Sequence, residues 1–240
     1  MIVLISTVFA FTLNKIDTEY TLIGDDDSKS IEIDEKLNSF LGKNLLFLNK
    51  KDILAKINEN PYTECLSVEK NFPDTITVKV RERRDVYLIE FDSEYYKTDE
   101  NAFVLSSYSG SVTRNLIEFI FEGVTTSKPI PGQVLSLVGY QDILSSALKV
   151  AKSINLTDCV KKIKLIKTFS EPLLSFDLEL YTYTGTTIIV KKFNDDGEKK
   201  AADAFAAYNS ETSEYKKSFY YFEAYKTDGG EIKVIWTTEK

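Results

Sequence analysis

Histidine is absent from this chain of 240 residues, which has only two cysteines, one methionine and one tryptophan. Without histidine, the usual general base at neutral pH and the commonest transition-metal ligand are both missing. Triads of the Ser–His–Asp type and Cys–His pairs are therefore excluded, whereas catalysis by carboxylates or lysine alone stays open. We predict a protein that is not an enzyme and that binds no cofactor or metal.

The two cysteines, Cys65 and Cys159, are far apart in the sequence and have no nearby partner of the CxxC kind. Free cysteine usually behaves as a small buried apolar side chain. A disulfide between two regions is the alternative if the chain lies outside the cytoplasm, and a metal role is a further one. We favour two small buried side chains.

Basic residues are outnumbered, with 30 lysines and arginines against 37 acidic residues and a net charge of −7. A nucleic-acid binder needs a basic surface to displace counterions from phosphates, so we predict no nucleic-acid partner. The same balance disfavours attachment to anionic lipid by charge alone. Hydrophobic residues make up 43% of the chain, enough for one good core or two smaller ones.

The long apolar run is confined to the amino terminus, where residues 1–13 carry no charge. As a helix this run covers about 20 Å, whereas the hydrocarbon core of a bilayer is about 30 Å thick. It could be part of a signal peptide, a buried element of the fold, or part of a transmembrane helix. We favour the last and predict residues 1–17 as a partial membrane anchor.

Residues 18–85 show a pattern of strand, two helices and two strands, typical of a small α+β domain. Ser30 to Gly42 predicts a helix with Ile33, Leu37, Phe40 and Leu41 on one face, and Asn49 is a good N-cap for the next helix. Asn60-Pro61 stops that helix, because the residue before proline resists helical geometry. Leu66 and Val68 alternate on one strand, the sequence from Phe72 to Thr75 predicts a turn, and Ile76, Val78 and Val80 alternate on the next strand.

The pattern of residues 86–240 predicts a second domain, in which the strands are mostly antiparallel and two helices are present. Strands are predicted in 86–91, on both sides of a turn at 98–101, and in 116–121, 160–167, 174–183 and 187–191. Amphipathic helices are predicted over 142–154 and 198–208. A final hairpin around Asp228-Gly229-Gly230 closes the chain.

Several residues of the first domain, and the hairpin that follows it, carry a resemblance. The matching positions are Gly42, Asn44, Leu45, Pro61, Phe72-Pro73 and Glu82-Arg83, followed by Thr98-Asp99 and Val104. In this combination the chain resembles the FtsQ/DivIB family of bacterial cell-division proteins. Asp85 departs from the family, which usually carries proline there.

The resemblance implies a fold and a location. The fold would be a POTRA module of βααββ order followed by a β domain. The chain would be a single-pass protein of the cytoplasmic membrane, with most of its residues outside the cytoplasm at the division septum. It would be a scaffold whose partners are FtsB- or DivIC-like and FtsL-like proteins, together with other division proteins.

Two other functions stay open. One is a POTRA-type chaperone for transport or assembly. The sequence argues against it, because it shows neither tandem POTRA repeats nor the strand pattern of a membrane barrel. A hydrolase or carbohydrate-binding protein of the cell wall is the other, disfavoured by the absence of histidine and by a single tryptophan.

Two groups of residues are candidates for partner binding. Strand alternation predicts Arg81 and Arg83 on the solvent face and Glu82 towards the core, where it needs an ion pair or an edge position. The terminal hairpin is rich in aromatic residues and predicts an open sheet edge, to which a partner strand could add. Its candidate residues are Tyr221, Tyr225, Ile232, Val234 and Trp236, which could also simply pack the domain's own core.

Overall fold

The computed structural model describes residues 11–21, 28–109, 116–153, 159–170 and 173–238. The chain divides between Arg84 and Asp85 into two units, each with its own cluster of buried apolar side chains. Each unit is therefore a fold with a hydrophobic core of its own.

The first unit has the predicted βααββ order. Its elements are strands β1 (Lys15–Thr21), β2 (Thr63–Asn71) and β3 (Thr75–Glu82) and helices α1 (Ser28–Asn38) and α2 (Lys50–Ile57). Strand β3 is central, parallel to β1 and antiparallel to β2. The inward residues of β3, Ile76, Val78 and Val80, join the buried residues of both helices in one core.

Helix α2 begins where the sequence predicts. The side chain of Asn49 accepts a hydrogen bond from the backbone amide of Lys51 at 3.1 Å, which satisfies one of the amides at the helix start. Leu48 before the cap and Ile53 within the helix are both buried in the first core, the arrangement of a hydrophobic staple. The turn between β2 and β3 contains a cis peptide bond between Phe72 and Pro73.

Two details of the predicted pattern are wrong. Leu41, expected on the buried face of the first helix, is 40% exposed, because α1 ends at Asn38 before the helical period reaches it. Leu66, expected to face inward with Val68, is exposed because a β-bulge follows Cys65. Because of the extra residue in the bulge, Cys65 faces inward together with Val68, and Leu66 faces outward.

The amino-terminal boundary also differs from the prediction. Leu13 is fully buried in the first core, where its amide donates to the Lys43 carbonyl and its carbonyl accepts from the Gly42 amide, both at 2.9 Å. Residues 11–17, predicted as the end of the anchor, therefore belong to the fold of the first unit. The rest of the predicted anchor, residues 1–10, lies outside the described residues.

The second unit combines a large sheet with helices. Its strands are β4 (Tyr87–Phe91), β5 (Glu94–Thr98), β6 (Val104–Tyr108), β7 (Ile117–Glu122), β8 (Val160–Ser170), β9 (Leu173–Thr182), β10 (Thr187–Val190), β11 (Tyr221–Lys226) and β12 (Ile232–Thr237). Its helices are α3 (Gln141–Ser153), α4 (Gly197–Ser210) and the single turn α5 (Ser213–Lys216).

The sheet order is β12-β11-β10-β9-β8-β7-β4-β5-β6. Five of its eight strand pairings are antiparallel, and the other three are parallel. Helix α3 contacts α4, and α4 contacts β10, β11 and β12. These findings confirm the predicted α+β class, with a POTRA-like unit followed by a mostly antiparallel β domain that carries two main helices.

The described ranges contain no helix that is both long enough and apolar enough to cross a membrane.

Candidate partner-binding edge

Strand β12 is one edge of the nine-stranded sheet. Among the described strands it pairs only with β11, antiparallel, over the register from Tyr221–Thr237 to Lys226–Ile232. The strand is six residues long and contains no proline. It thus presents a row of outward backbone groups of the kind to which another strand can add.

The turn before β12 determines which backbone groups face outward. The Thr227 amide donates to the Glu231 carbonyl at 2.9 Å, and the Gly230 amide, with a φ of 83°, donates to the Thr227 carbonyl at 2.8 Å. Hydrogen-bonded and non-bonded pairs alternate along an antiparallel ladder. Since Thr227 and Glu231 are a bonded pair, Ile232, Val234 and Trp236 direct their N–H and C=O groups away from β11.

Trp236 is the last member of an apolar row that crosses most of the sheet. Strand register places Ile89, Phe119, Ile163, Leu180, Ile188, Phe222 and Trp236 side by side on seven successive strands. The first six side chains are buried, whereas Trp236 is 57% exposed. The indole stacks on the Phe222 ring, with centroids 6.1 Å apart and planes inclined by 27°. The row therefore reaches the open edge with a large aromatic face uncovered.

A second row runs parallel to the first and ends at Val234. Leu165, Leu178, Val190 and Ala224 are all buried, and Val234 at the end is partly buried against the same core. The prediction that Val234 and Trp236 share one face is thus consistent with the register. That face is the one on which α4 packs, since α4 contributes Ala204, Phe205 and Tyr208 to this core.

The other two predicted residues of the hairpin lie on the opposite face. Tyr221 and Tyr225 alternate with buried Phe222 and Ala224, and both are half-buried. Across the ladder Tyr225 faces Lys233. The five hairpin candidates therefore divide between the two faces of the edge and do not form one patch.

A buried lysine that the sequence did not lead us to expect lies on α4, the helix that contacts β12. Lys200 on α4 is fully buried, and its ammonium donates hydrogen bonds to the backbone carbonyls of Lys191 and Lys192, the latter at 2.8 Å. Burial lowers the pKa of Lys200, while Asp195 and Asp196 favour its charged form. The signal was available, because the helical period places Lys200 on the same face as Ala204 and Tyr208.

The arginines of the first unit are placed differently from each other. Arg81 is half-exposed and forms an ion pair with Glu64 on the neighbouring strand, with Nε to carboxylate oxygen at 2.9 Å. The Arg83 side chain is only 9% exposed. Its guanidinium donates to the carbonyls of Pro61 at 3.1 Å and Thr63 at 2.7 Å. The expectation that Arg83 lies on the solvent face is therefore wrong, since β3 ends at Glu82 and strict alternation stops there.

Glu82 faces inward as predicted and has the ion pair that this position requires. Its side chain is 7% exposed and binds the ammonium of Lys29 on α1. Two further motif residues, Gly42 and Asn44, shape the backbone of the first unit. Gly42 adopts a φ of 81°, and the Asn44 side chain accepts from the Leu46 amide at 2.9 Å.

The cysteines lie in different units. Cys65 is buried in the first core, where burial raises its pKa to about 11, and Cys159 packs against the second core. Each acts as a small apolar side chain of its own unit. In the part of the chain that the structure describes, no group of three or more cysteine, aspartate or glutamate side chains is arranged to hold a metal ion.

Comparisons with known proteins agree with the fold. Residues 22–83 match the family described as POTRA domain, FtsQ-type. Cell division protein DivIB of Clostridium acetobutylicum is 31% identical over 97 residues, which are 40% of this chain and 38% of the relative. The protein of the same name from Clostridium tetani is 30% identical over 82 residues, 33% of this chain and 31% of the relative.

These findings support an FtsQ/DivIB family protein. The aligned part spans at most 38% of the length of these two DivIB proteins. The first unit is its FtsQ-type POTRA domain. The two apolar rows, and the exposed Trp236 at the end of one of them, are seen only in the strand register of this structure.

Proposed function

We propose that this FtsQ/DivIB family member is a non-catalytic scaffold of the bacterial division machinery. It is held at the cytoplasmic membrane by its amino-terminal apolar segment, with both units on the outer side at the septum. The observation that carries the proposal is the open edge strand β12, where two buried apolar rows end at Val234 and Trp236. The name of the DivIB relatives and the FtsQ-type POTRA match support the division role.

Binding at this edge occurs by strand addition. A partner segment in extended conformation pairs with the outward N–H and C=O groups of Ile232, Val234 and Trp236, and main-chain hydrogen bonds supply affinity. The partner places an apolar side chain beside Trp236, so that the row continues across the new strand. Aromatic residues that are half-exposed in the free protein and become buried on binding are typical of binding hot spots.

The edge has little protection of its own. Natural edge strands are usually blocked by proline, by inward charges or by a covering element. Strand β12 has one lysine, Lys233, on the face away from α4. Ile232 and Val234, the apolar residues on either side of it, are both partly exposed. A dedicated partner that covers the strand accounts for this composition.

The partners are FtsB- or DivIC-like and FtsL-like division proteins. On the face of the edge opposite α4, Tyr221 and Tyr225 contact the residues that flank the added strand. Arg81 on the POTRA sheet is a second docking point, because it is half-exposed. Arg83 does not take part, because its guanidinium is engaged by the Pro61 and Thr63 carbonyls.

Two substitutions of one residue test strand addition. Val234→Pro and Val234→Ala in the full chain both remove the valine side chain, but only proline removes the outward N–H. Binding to purified FtsB- or DivIC-like and FtsL-like extracytoplasmic segments is measured by calorimetry, after circular dichroism shows that both variants are folded. We expect Val234→Ala to bind within severalfold of the unmodified chain and Val234→Pro to lose binding.

Equal binding by the two variants would place the interface elsewhere on the chain and remove β12 from the mechanism. Failure of the unmodified, folded chain to bind any of these segments would overturn the scaffold function itself.

A further inference from the structure

A second exposed apolar surface lies in the first unit, on the loop between α1 and α2. Phe47 is 81% exposed, Leu46 is 49% exposed and Leu41 is 40% exposed. Single exposed apolar residues are common on soluble proteins, but a group of large ones on one short loop marks an interaction site. We call the segment 41–51, which includes the first two residues of α2, the apolar loop.

The apolar loop is paired with the last described residues of the amino-terminal segment. The Leu45 amide donates to the Phe11 carbonyl at 2.7 Å, and Thr12 forms an antiparallel bridge with Asn44. Phe11 also contacts the half-exposed Phe72, with ring centroids 5.7 Å apart at right angles. The uncharged residues 1–10 are covalently joined to Phe11. A membrane bound by these residues is therefore kept near Leu46 and Phe47.

The charge of the apolar loop is opposite to that of the chain. The stretch from Gly42 to Lys51 contains Lys43, Lys50 and Lys51 and no acidic residue, although the whole chain carries a net charge of −7. All three lysines are exposed. Asp52 follows the stretch directly in the sequence and is not part of it.

Two of these lysines lie at a helix start, where the helix dipole does not favour positive charge. Lys50 and Lys51 form the first turn of α2, where the helix dipole favours acidic side chains such as Asp52. Their position is better explained by an anionic surface outside the protein. Exposed aromatic and apolar residues next to lysines match the composition of segments that lie in the membrane interface.

We propose that the apolar loop docks on the surface of an anionic lipid bilayer, beside the point where the amino-terminal segment enters it. Phe47 and Leu46 insert at the level of the headgroups, and Lys43, Lys50 and Lys51 contact lipid phosphates. The contact fixes the orientation of the POTRA unit relative to the membrane. The inference rests on the membrane attachment in the proposed function and adds a second contact to it.

The single tryptophan allows a direct test. The full chain carrying Phe47→Trp and Trp236→Phe is mixed with vesicles made of equal parts phosphatidylglycerol and phosphatidylcholine brominated in its acyl chains. Bromine quenches an indole only at close range, so we expect a loss of emission relative to unbrominated vesicles. The matched control is Leu66→Trp with Trp236→Phe, because Leu66 is an exposed apolar residue on β2, an edge strand of the same unit. We expect the control to keep its emission.

Flotation of the same samples separates this inference from the membrane attachment. A chain that floats with the vesicles while the indole at position 47 is unquenched would overturn the loop contact and leave the anchor intact. A chain that does not float would overturn both. Replacing the three lysines by glutamate in the Phe47→Trp background should reduce the quenching, and unchanged quenching would refute the phosphate contacts.

Discussion

The indole of Trp236 lies against the ring of Phe222 with centroids 6.1 Å apart, although Phe222 is fully buried and Trp236 is 57% exposed. The two residues are direct cross-strand neighbours. Phe222 also contacts Tyr208 of α4, with centroids 5.9 Å apart. An exposed side chain at the edge is thus connected through one ring to the core beneath the helix.

This contact makes Trp236 a reporter of partner binding. Because it is the sole tryptophan, addition of a partner strand should shift the intrinsic emission of the chain to shorter wavelength as the indole loses water. Trp236→Ala should weaken binding by about tenfold or more, the loss typical of an aromatic hot spot. Titration with the FtsB- or DivIC-like segment, followed by fluorescence and calorimetry, measures both effects.

Ile235→Ala is the matched control on the same strand. Ile235 is similarly exposed but lies on the face opposite α4. We expect a smaller loss of affinity than for Trp236→Ala. An equal loss would mean that the partner contacts both faces alike, and no emission shift on saturation would contradict burial of the indole.

Arg81 and Arg83 of the POTRA unit should differ in their contribution to stability. Arg83→Ala removes charge-assisted hydrogen bonds to the Pro61 and Thr63 carbonyls and should lower the free energy of unfolding by about 2 kcal/mol. Arg81→Ala breaks a half-exposed ion pair and should change it by less than about 0.5 kcal/mol. Urea denaturation followed by far-ultraviolet circular dichroism measures both.

Arg83→Lys refines the comparison. A lysine cannot reproduce the two-pronged geometry of the guanidinium, so it should recover only part of the lost stability. If Arg83→Ala were as stable as the unmodified chain, the buried hydrogen bonds would have no net value, and a role of Arg83 in binding would have to be considered again.

Much of the first unit was predictable because local signals agree with one another there. Asn49 caps a helix, Pro61 follows its end, and the alternation of Ile76, Val78 and Val80 gives both the strand and its buried face. The bulge after Cys65 was not predictable, since an extra residue in a strand leaves no change in composition. The bulge therefore reversed the expected direction of Leu66.

The candidate edge was only partly predictable. The aromatic content of the hairpin indicated a binding surface, and the register places Trp236 and Val234 on one face as expected. The apolar rows that end at these residues depend on pairings between strands distant in sequence, such as the parallel pairing of β10 with β11. Sequence patterns carry no information on such pairings.

The buried Lys200 should be a net stabiliser of the second unit. Lys200→Met keeps the length of the side chain but leaves the Lys191 and Lys192 carbonyls without this donor, so we expect a loss of about 1–3 kcal/mol. Urea denaturation followed by Trp236 fluorescence measures it. Greater stability of Lys200→Met would mean that the cost of burying the charge exceeds the value of the hydrogen bonds.

The pH dependence of the same pair tests the direction of the pKa. Burial lowers the pKa of Lys200, so the unfolded chain binds the proton more strongly. As pH rises from the folded pKa towards the ordinary value of 10.5, the unmodified chain should gain stability relative to Lys200→Met. A constant difference over that range would contradict the lowered pKa.

Tyr20 should make the POTRA unit sensitive to alkali. Burial, and then a hydrogen bond from its hydroxyl to Asp34, raise the pKa of Tyr20 from 10.0 to about 12. A group whose pKa is raised by folding gives stability that is complete below its unfolded pKa and is lost as pH rises towards the folded one. The contribution of Tyr20 should therefore be complete at about pH 9 and partly lost at about pH 11.

Tyr20→Phe removes this contribution and keeps the ring. The difference in urea midpoint between the unmodified chain and Tyr20→Phe should shrink from about pH 9 to about pH 11, because only the unmodified chain has the raised phenol to ionise. Tyrosinate absorbance supplies the direct measurement, since the difference titration of the two proteins reports this one hydroxyl. A difference titration centred near the ordinary value of 10.0 would contradict the raised pKa, and with it the effect of both the burial and the Asp34 contact.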